Sequence, residues 1–162
     1  APGRETRISP HALSHRRAFA VVGQPGVARV WVNGSDRERR IALQATRGLG
    51  LFPFEETRTD TVTELRLATA HVPDWGRTRE ALTAQAGITI EEGVARVSLV
   101  GGSAEVQRAT LRAVLAEGGI EVLDVGVDTH AERVSALVAA DALDDAVRAL
   151  HQGVVLESDR DD

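Results

Sequence analysis

The pentapeptide GVARV occurs at Gly26–Val30 and again at Gly93–Val97, 67 residues further on. An identical string at that distance marks a repeated supersecondary unit. With slips of one to four residues the match extends from Gly34-Ser35 onto Gly102-Ser103, and from Leu43 onto Leu111. Further along, Gly50-Leu51 falls on Gly119-Ile120, Leu67 on Val138, and Ala81-Leu82 on Ala149-Leu150. Two copies of one plan therefore make up most of the 162 residues. A chain of that length folds as one ordinary domain or as two small units.

Each copy has the same order of local signals. Ahead of the first, Ala18 to Gly23 is short and apolar and predicts a strand, with a turn at Gln24-Pro25-Gly26. Val27 to Val32 alternates Val27, Arg29 and Trp31 against Ala28, Val30 and Val32, the period of a strand with one buried face. Ser35 and Glu38 have the spacing of a capping box, so a helix starts there and runs to about Arg47, stopped by Gly48 and Gly50. A strand over 51–57, a polar turn at 58–60 and a strand over 61–69 follow, with Thr63, Leu65 and Leu67 on one face. Asp74 caps a second helix over 75–86, Gly87 ends it, and 88–91 closes the unit as a strand.

The second copy predicts a strand over 94–100, then a helix capped by Ser103 that runs to Glu117 and stops at Gly118-Gly119. Leu111, Val114 and Leu115 give this helix an apolar stripe. A hairpin over 120–127 and 132–139, a helix over 143–152 and a final strand over 153–157 complete it. Each unit thus reads as βαββαβ, the ferredoxin-like arrangement, giving an α+β fold of two antiparallel sheets with helices on one face. The expected organisation is a flexible arm at 1–16, a strand at 17–24 that either completes the second unit or leaves that edge to 154–156, units at 25–92 and 93–157, and an acidic tail at 158–162.

Composition narrows the function. Hydrophobic residues are 43% of the chain, but there are only 3 Phe and 2 Trp and no Tyr, so base stacking is not expected. The net charge of −5 also disfavours a polyanionic nucleic-acid partner. There is no Cys, which removes disulfides, thiolate nucleophiles and thiolate zinc sites together. There is no Lys either, which excludes Schiff-base chemistry. No apolar run reaches the length of a membrane span, so a cytoplasmic protein with no membrane partner is expected. His11, His15, His71, His130 and His151 are scattered singly, and no phosphate-loop, zinc or nucleophile motif is present. An enzyme is not expected, nor a metal or cofactor.

The candidate chemistry lies where the first strand of each copy meets its first helix. Asn33-Gly34-Ser35-Asp36 and Gly101-Gly102-Ser103-Ala104 bring small residues to a helix N-terminus, where free N–H groups and the dipole favour an anion such as an amino-acid carboxylate. The same residues also make an ordinary tight turn and cap, and sequence leaves both readings open.

The segments GVARVSLVGG (93–102), AVLAEGGIEVLDV (113–125) and RVSALVAADALDDAVRALHQ (133–152), with the link ITIEEGVARV, resemble the paired ACT domains at the C-terminus of aspartate kinases. The resemblance covers about 17–155. No counterpart of the catalytic half, with its Lys-Phe-Gly-Gly opening, is found in these residues, so the resemblance implies a non-catalytic regulatory (β) subunit. It implies feedback control through lysine or threonine bound at ACT interfaces, a partner aspartate kinase catalytic chain, and a homodimer. Carried over by position, the effector contacts are Asn33, Gly34, Ser35, Asp36, Glu55, Glu56 and Thr57 in the first unit, and Gly101, Gly102, Ser103, Ala104 and Asp124 in the second. The chain departs from the family in lacking a Pro-Gly after the first strand of each copy. It also has Phe54-Glu55-Glu56-Thr57 where Gln-Asn is common. Those departures support the alternative of a scaffolding or dimerisation subunit with degenerate pockets.

Overall fold

The computed structural model describes residues 20–156 except Thr129. The expected arm at 1–16 and tail at 158–162 lie outside the described residues. Six strands and four helices follow one another as β1 (Ala20–Asn33), α1 (Asp36–Gly48), β2 (Glu55–Arg58), β3 (Val62–Ala68), α2 (Trp75–Thr83), β4 (Ile88–Val100), α3 (Ala104–Glu117), β5 (Asp124–Asp128), β6 (Arg133–Ala139) and α4 (Leu143–Leu150). The described residues divide into two compact units, 24–95 and 96–156 with 20–23.

In the unit 24–95 the strands neighbour one another as β2-β3-β1-β4. β1 and β3 run antiparallel with Val30 opposite Leu65, and β2 and β3 antiparallel with Glu55 opposite Arg66. The alternation expected of β1 holds from Ala28 onward, with Ala28, Val30 and Val32 fully buried and Arg29 and Trp31 half-buried, but Val27, expected on the open face, is buried too. Val30, Leu65 and Leu67 form a core with Leu51 and with Leu82 of α2, against which Leu43, Trp75, Ile88 and Ile90 pack. Burying each large aliphatic side chain contributes about 1.5–3 kcal/mol.

In the other unit the neighbour order is β1-β4-β6-β5, with Ala20–Gly23 supplying the β1 portion and Arg96–Val100 the β4 portion. α3 packs on β5, β6 and α4. Leu99, Leu111, Leu115, Leu137 and Leu150 are all buried to 2% exposure or less, so the stripe read at 111–115 does face a core. Gly23 is small because α4 passes close above it. A Cβ there would lie 2.9 Å from a Val147 methyl and 3.4 Å from Leu143.

Several boundaries differ from the sequence reading. The turn at Gln24-Pro25-Gly26 does not form, because β1 runs through it, and β4 likewise runs through Gly93 where two separate strands were expected. Both repeats of GVARV begin on a glycine with positive φ, Gly26 at 67° and Gly93 at 78°, and each sits inside a long strand. Glycine adopts that conformation at little cost, so the strand is redirected there without ending. At Gly26 the carbonyl also accepts a 2.9 Å bond from the Thr69 hydroxyl.

The second strand is shorter than the predicted 51–57, with only Glu55–Arg58 in the ladder; Pro53 has no N–H to give to it. No strand forms over 153–156; a π-helical turn, His151–Leu156, continues α4 instead. Gly153 there packs against Val114 of α3.

Candidate functional site

The two helix-start loops occupy equivalent places in the two units, and their local chemistry differs. At α1 the predicted capping box is complete. Glu38 accepts from the Ser35 backbone N–H at 2.8 Å and from the Ser35 hydroxyl at 2.7 Å, and the Glu38 N–H donates back to Ser35 Oγ at 3.4 Å. These bonds, the backbone one foremost, hold the Glu38 carboxyl below the usual carboxylate range. Asp36, in the same turn, pairs with Arg39. The positive end of this helix is therefore already answered by two of the chain's own carboxylates.

The loop before α1 is fixed by its neighbours. The Asn33 backbone N–H donates to the Gly87 carbonyl at 2.8 Å, and its side-chain amide reaches the same oxygen at 3.2 Å. Gly34, at φ 130°, donates to the Thr61 carbonyl at 3.3 Å. Beside this loop lies a cleft of about 550 Å³ lined by Asn33, Gly34, Glu38, Ile41, Gln85 and Gly87. Both Glu38 contacts run through Oε2, and among the described residues no donor reaches Oε1. The cleft thus offers one carboxylate oxygen and a carboxamide, a set that suits a cation.

At α3 the same place is built from two consecutive left-handed glycines, Gly101 at φ 92° and Gly102 at φ 77°. Ser103 is the N-cap, but its side chain makes no capping bond. The Gly101 N–H donates to the Glu132 carbonyl at 2.7 Å, which seats the loop beside the β5–β6 turn. Gly101 is buried, and Gly102, Ser103 and Ala104 are half-buried. The start of α3 therefore lacks the reciprocal carboxylate that closes α1, and its only first-turn acid is Glu105. Backbone N–H groups at such a helix start suit an anion.

The structure does not bring every expected contact to these loops. Asn33 lies opposite Val62, whereas Glu55 lies opposite Arg66, four residues along β3 and about 13 Å away at the usual strand rise. Glu55 is engaged by Arg66 at 2.9 Å and Glu56 by Arg58 at 2.6 Å, while Thr57 is exposed opposite Glu64. In the other unit Asp124 lies opposite Leu137, five residues beyond Glu132 and about 16 Å from Gly101 by the same measure. Asp128 is the acid at the near end of β5, and its Oδ1 is used by the N–H groups of His130 and Ala131. His71, His130 and His151 are exposed, and no group of three or more potential metal ligands occurs among the described residues.

Two buried arginines escaped the sequence reading. Arg39, 7% exposed, reaches from α1 to the carbonyls of Thr59 at 2.7 Å and Asp60 at 2.9 Å, which fixes the β2–β3 turn to the helix. Its spacing to Ala42 and Thr46, the other buried positions of α1, was the available signal. Arg66, 4% exposed, donates to Glu55 and to Glu64, and Glu64 also accepts from Arg29 at 2.7 Å. Burial raises the Glu64 pKa, but the hydrogen bonds from Arg29 and Arg66 outweigh it and the net direction is down. Arg29 also stands over the Trp31 ring at 4.6 Å.

No family model matches the sequence, and no curated protein is detectably similar to it. Solved structures do match. The aspartate kinase of Clostridium acetobutylicum superposes with a TM-score of 0.71 at 12% identity, over 92% of this chain and 36% of that one. A structure of aspartokinase alpha and beta subunits superposes at 0.66 with 22% identity, over 84% of this chain and 97% of that one. The regulatory subunit of aspartate kinase from Thermus flavus superposes at 0.64 with 17% identity, over 85% and 99%. The chain spans about a third of the Clostridium kinase and nearly all of the matched chains in the other two structures. The likeness is one of fold, and in each case it extends over at least 84% of this chain. No helix among the described residues is long and apolar enough to cross a membrane.

Proposed function

We propose that the chain is a non-catalytic regulatory subunit of an aspartate kinase, and that it binds a free amino acid of the lysine or threonine class. The fold supports the regulatory role, since the matched chains of nearly equal extent include a subunit that is itself regulatory. The observation that carries the amino-acid reading is the start of α3, where the Gly101–Ala104 loop presents helix-start N–H groups that no side-chain cap closes, a setting suited to the carboxylate of a free amino acid.

Partners follow from the sheet edges. β2 is an edge of one unit and β5 an edge of the other, and edge strands are where another chain adds. Phe52, 89% exposed, precedes β2, and Leu123 and Val127, at 40% and 44%, flank and end β5. A second copy and a kinase catalytic chain are the proposed occupants. The amino acid acts by binding one arrangement of that assembly better than the other, and a coupling of about 1–3 kcal/mol is typical of such linkage.

Reconstitution with an aspartate kinase catalytic chain tests this reading. Lysine or threonine is expected to lower kinase activity only when this chain is present. A second reading, a scaffolding subunit without an effector, is favoured by the self-capped start of α1, where Glu38 and Asp36 already occupy the anion position. Stable co-purification with unchanged activity across an amino-acid panel selects it instead.

A further inference from the structure

A second concavity, of about 850 Å³, opens between the outer side of α1 and the β2–β3 turn. Four arginines line it, Arg39, Arg40, Arg47 and Arg58, against two aspartates, Asp36 and Asp60. That size lies within the usual range of ligand sites. Arg39 is committed to Asp36 and to the turn carbonyls, yet its buried Nε has no partner among the described residues. Arg58 is paired with Glu56. Arg40 and Arg47 have no ion pair among the described residues, and neither has the Asp60 carboxylate in the same lining, so the cleft keeps an excess of positive charge.

The arrangement of the arginines limits what fits. Arg40, Gln44 and Arg47 follow the i, i+4, i+7 line of one helix face, so the two free guanidinium groups stem from Cα atoms about 10 Å apart along α1. Linked phosphoryl groups offer each of the two guanidinium groups its own set of oxygens, and the planar fork of donors on each matches that geometry. Side-chain amide and hydroxyl groups at Gln44 and Thr59 lie in the same wall.

We propose that this cleft binds a small ligand carrying two or more linked phosphoryl groups. The inference is independent of the amino-acid reading, and failure of either leaves the other standing. The test is calorimetric titration of the full chain with pyrophosphate, tripolyphosphate and ATP, with citrate as a carboxylate comparison and a short poly-glutamate peptide as a macromolecular one. Arg40→Gln with Arg47→Gln removes both unpaired guanidinium groups from the exposed helix face. Arg37→Gln removes an equal charge per site from the same helix outside the cleft.

Tripolyphosphate is expected to bind the wild-type chain, with at least about a tenfold loss in the double variant and less than about twofold in Arg37→Gln. ATP binding as tightly as tripolyphosphate would identify a nucleotide, and weaker ATP binding a plain polyphosphate; both support the site. Three results overturn it. They are absence of binding by every phosphate probe, an equal loss in Arg37→Gln, and tighter binding of citrate or the peptide than of tripolyphosphate.

Discussion

The first turn of α1 and the first turn of α3 stand at the same point of two copies of one repeat, and they solve the same electrostatic problem differently. At α1 the helix start is satisfied from within, by the Ser35–Glu38 box and the Asp36–Arg39 pair. At α3 two left-handed glycines bring the backbone to the helix start, and the side chain of the N-cap Ser103 makes no capping bond. A duplicated backbone thus keeps its topology while one copy closes its helix start with carboxylates and the other does not. The proposed binding role of the second loop rests on that difference.

The comparison is sharpened first by the cores beneath the two loops, where the largest effect is expected. Leu43 and Leu111 are equivalent in the repeat, but Leu111 is fully buried and Leu43 only half-buried. Leu111→Ala is expected to cost about 3–5 kcal/mol and Leu43→Ala about 1–2 kcal/mol, read from urea unfolding of the full chain. Equal losses would mean that the helices are seated alike. Next come the caps. Ser35→Ala is expected to destabilise its unit by about 1 kcal/mol, while Ser103→Ala changes stability by no more than about 0.3 kcal/mol. A larger loss at Ser103 would show a cap that closes α3 after all.

The smallest effect is on pH. Glu38, Glu64 and Glu92 all lie in the unit 24–95 and all have lowered pKa values; for Glu92 the causes are hydrogen bonds from Trp75 at 2.5 Å and Arg79 at 3.0 Å. A carboxyl whose folded pKa lies below its unfolded value stabilises the fold above the unfolded value, 4.5 here. That contribution is lost as pH falls through the folded values. The urea midpoint of the full chain should therefore hold between pH 7 and 5 and drop below about pH 4.5, with a smaller drop in Glu64→Gln. A midpoint flat to pH 3 would contradict the assigned hydrogen bonds.

How much of this was legible depends on whether the signal was local. The capping box at Ser35 is a four-residue pattern and appears as read, as do Gly50, Gly87 and Gly119 in left-handed conformations after their helices. The buried face Thr63, Leu65, Leu67 follows from alternation alone. Pro25-Gly26 has turn chemistry, but ladder bonding extends the strand through it, and that competition is decided by partners distant in sequence. Val154 to Leu156 is a short apolar run of the kind that suits strand and helix alike. Here it continues α4. Arg39 and Arg66 look solvated in the sequence because the groups that bury them, Thr59, Asp60, Glu55 and Glu64, are assembled only by the fold. The loops themselves were legible, but Glu55 and Asp124 were not separable from them, since strand register sets that distance.

Calorimetric titration of the full chain with lysine, threonine and other free amino acids, repeated on Gly102→Val, addresses the open α3 loop most directly. The φ of 77° at Gly102 makes any β-branched residue strained there, so the loop that begins α3 does not keep this backbone in the variant. The account predicts saturable binding of lysine or threonine to the wild-type chain that the variant loses while Gly34→Val retains some of it. Silence across the whole panel, or binding that survives Gly102→Val undiminished, would contradict it.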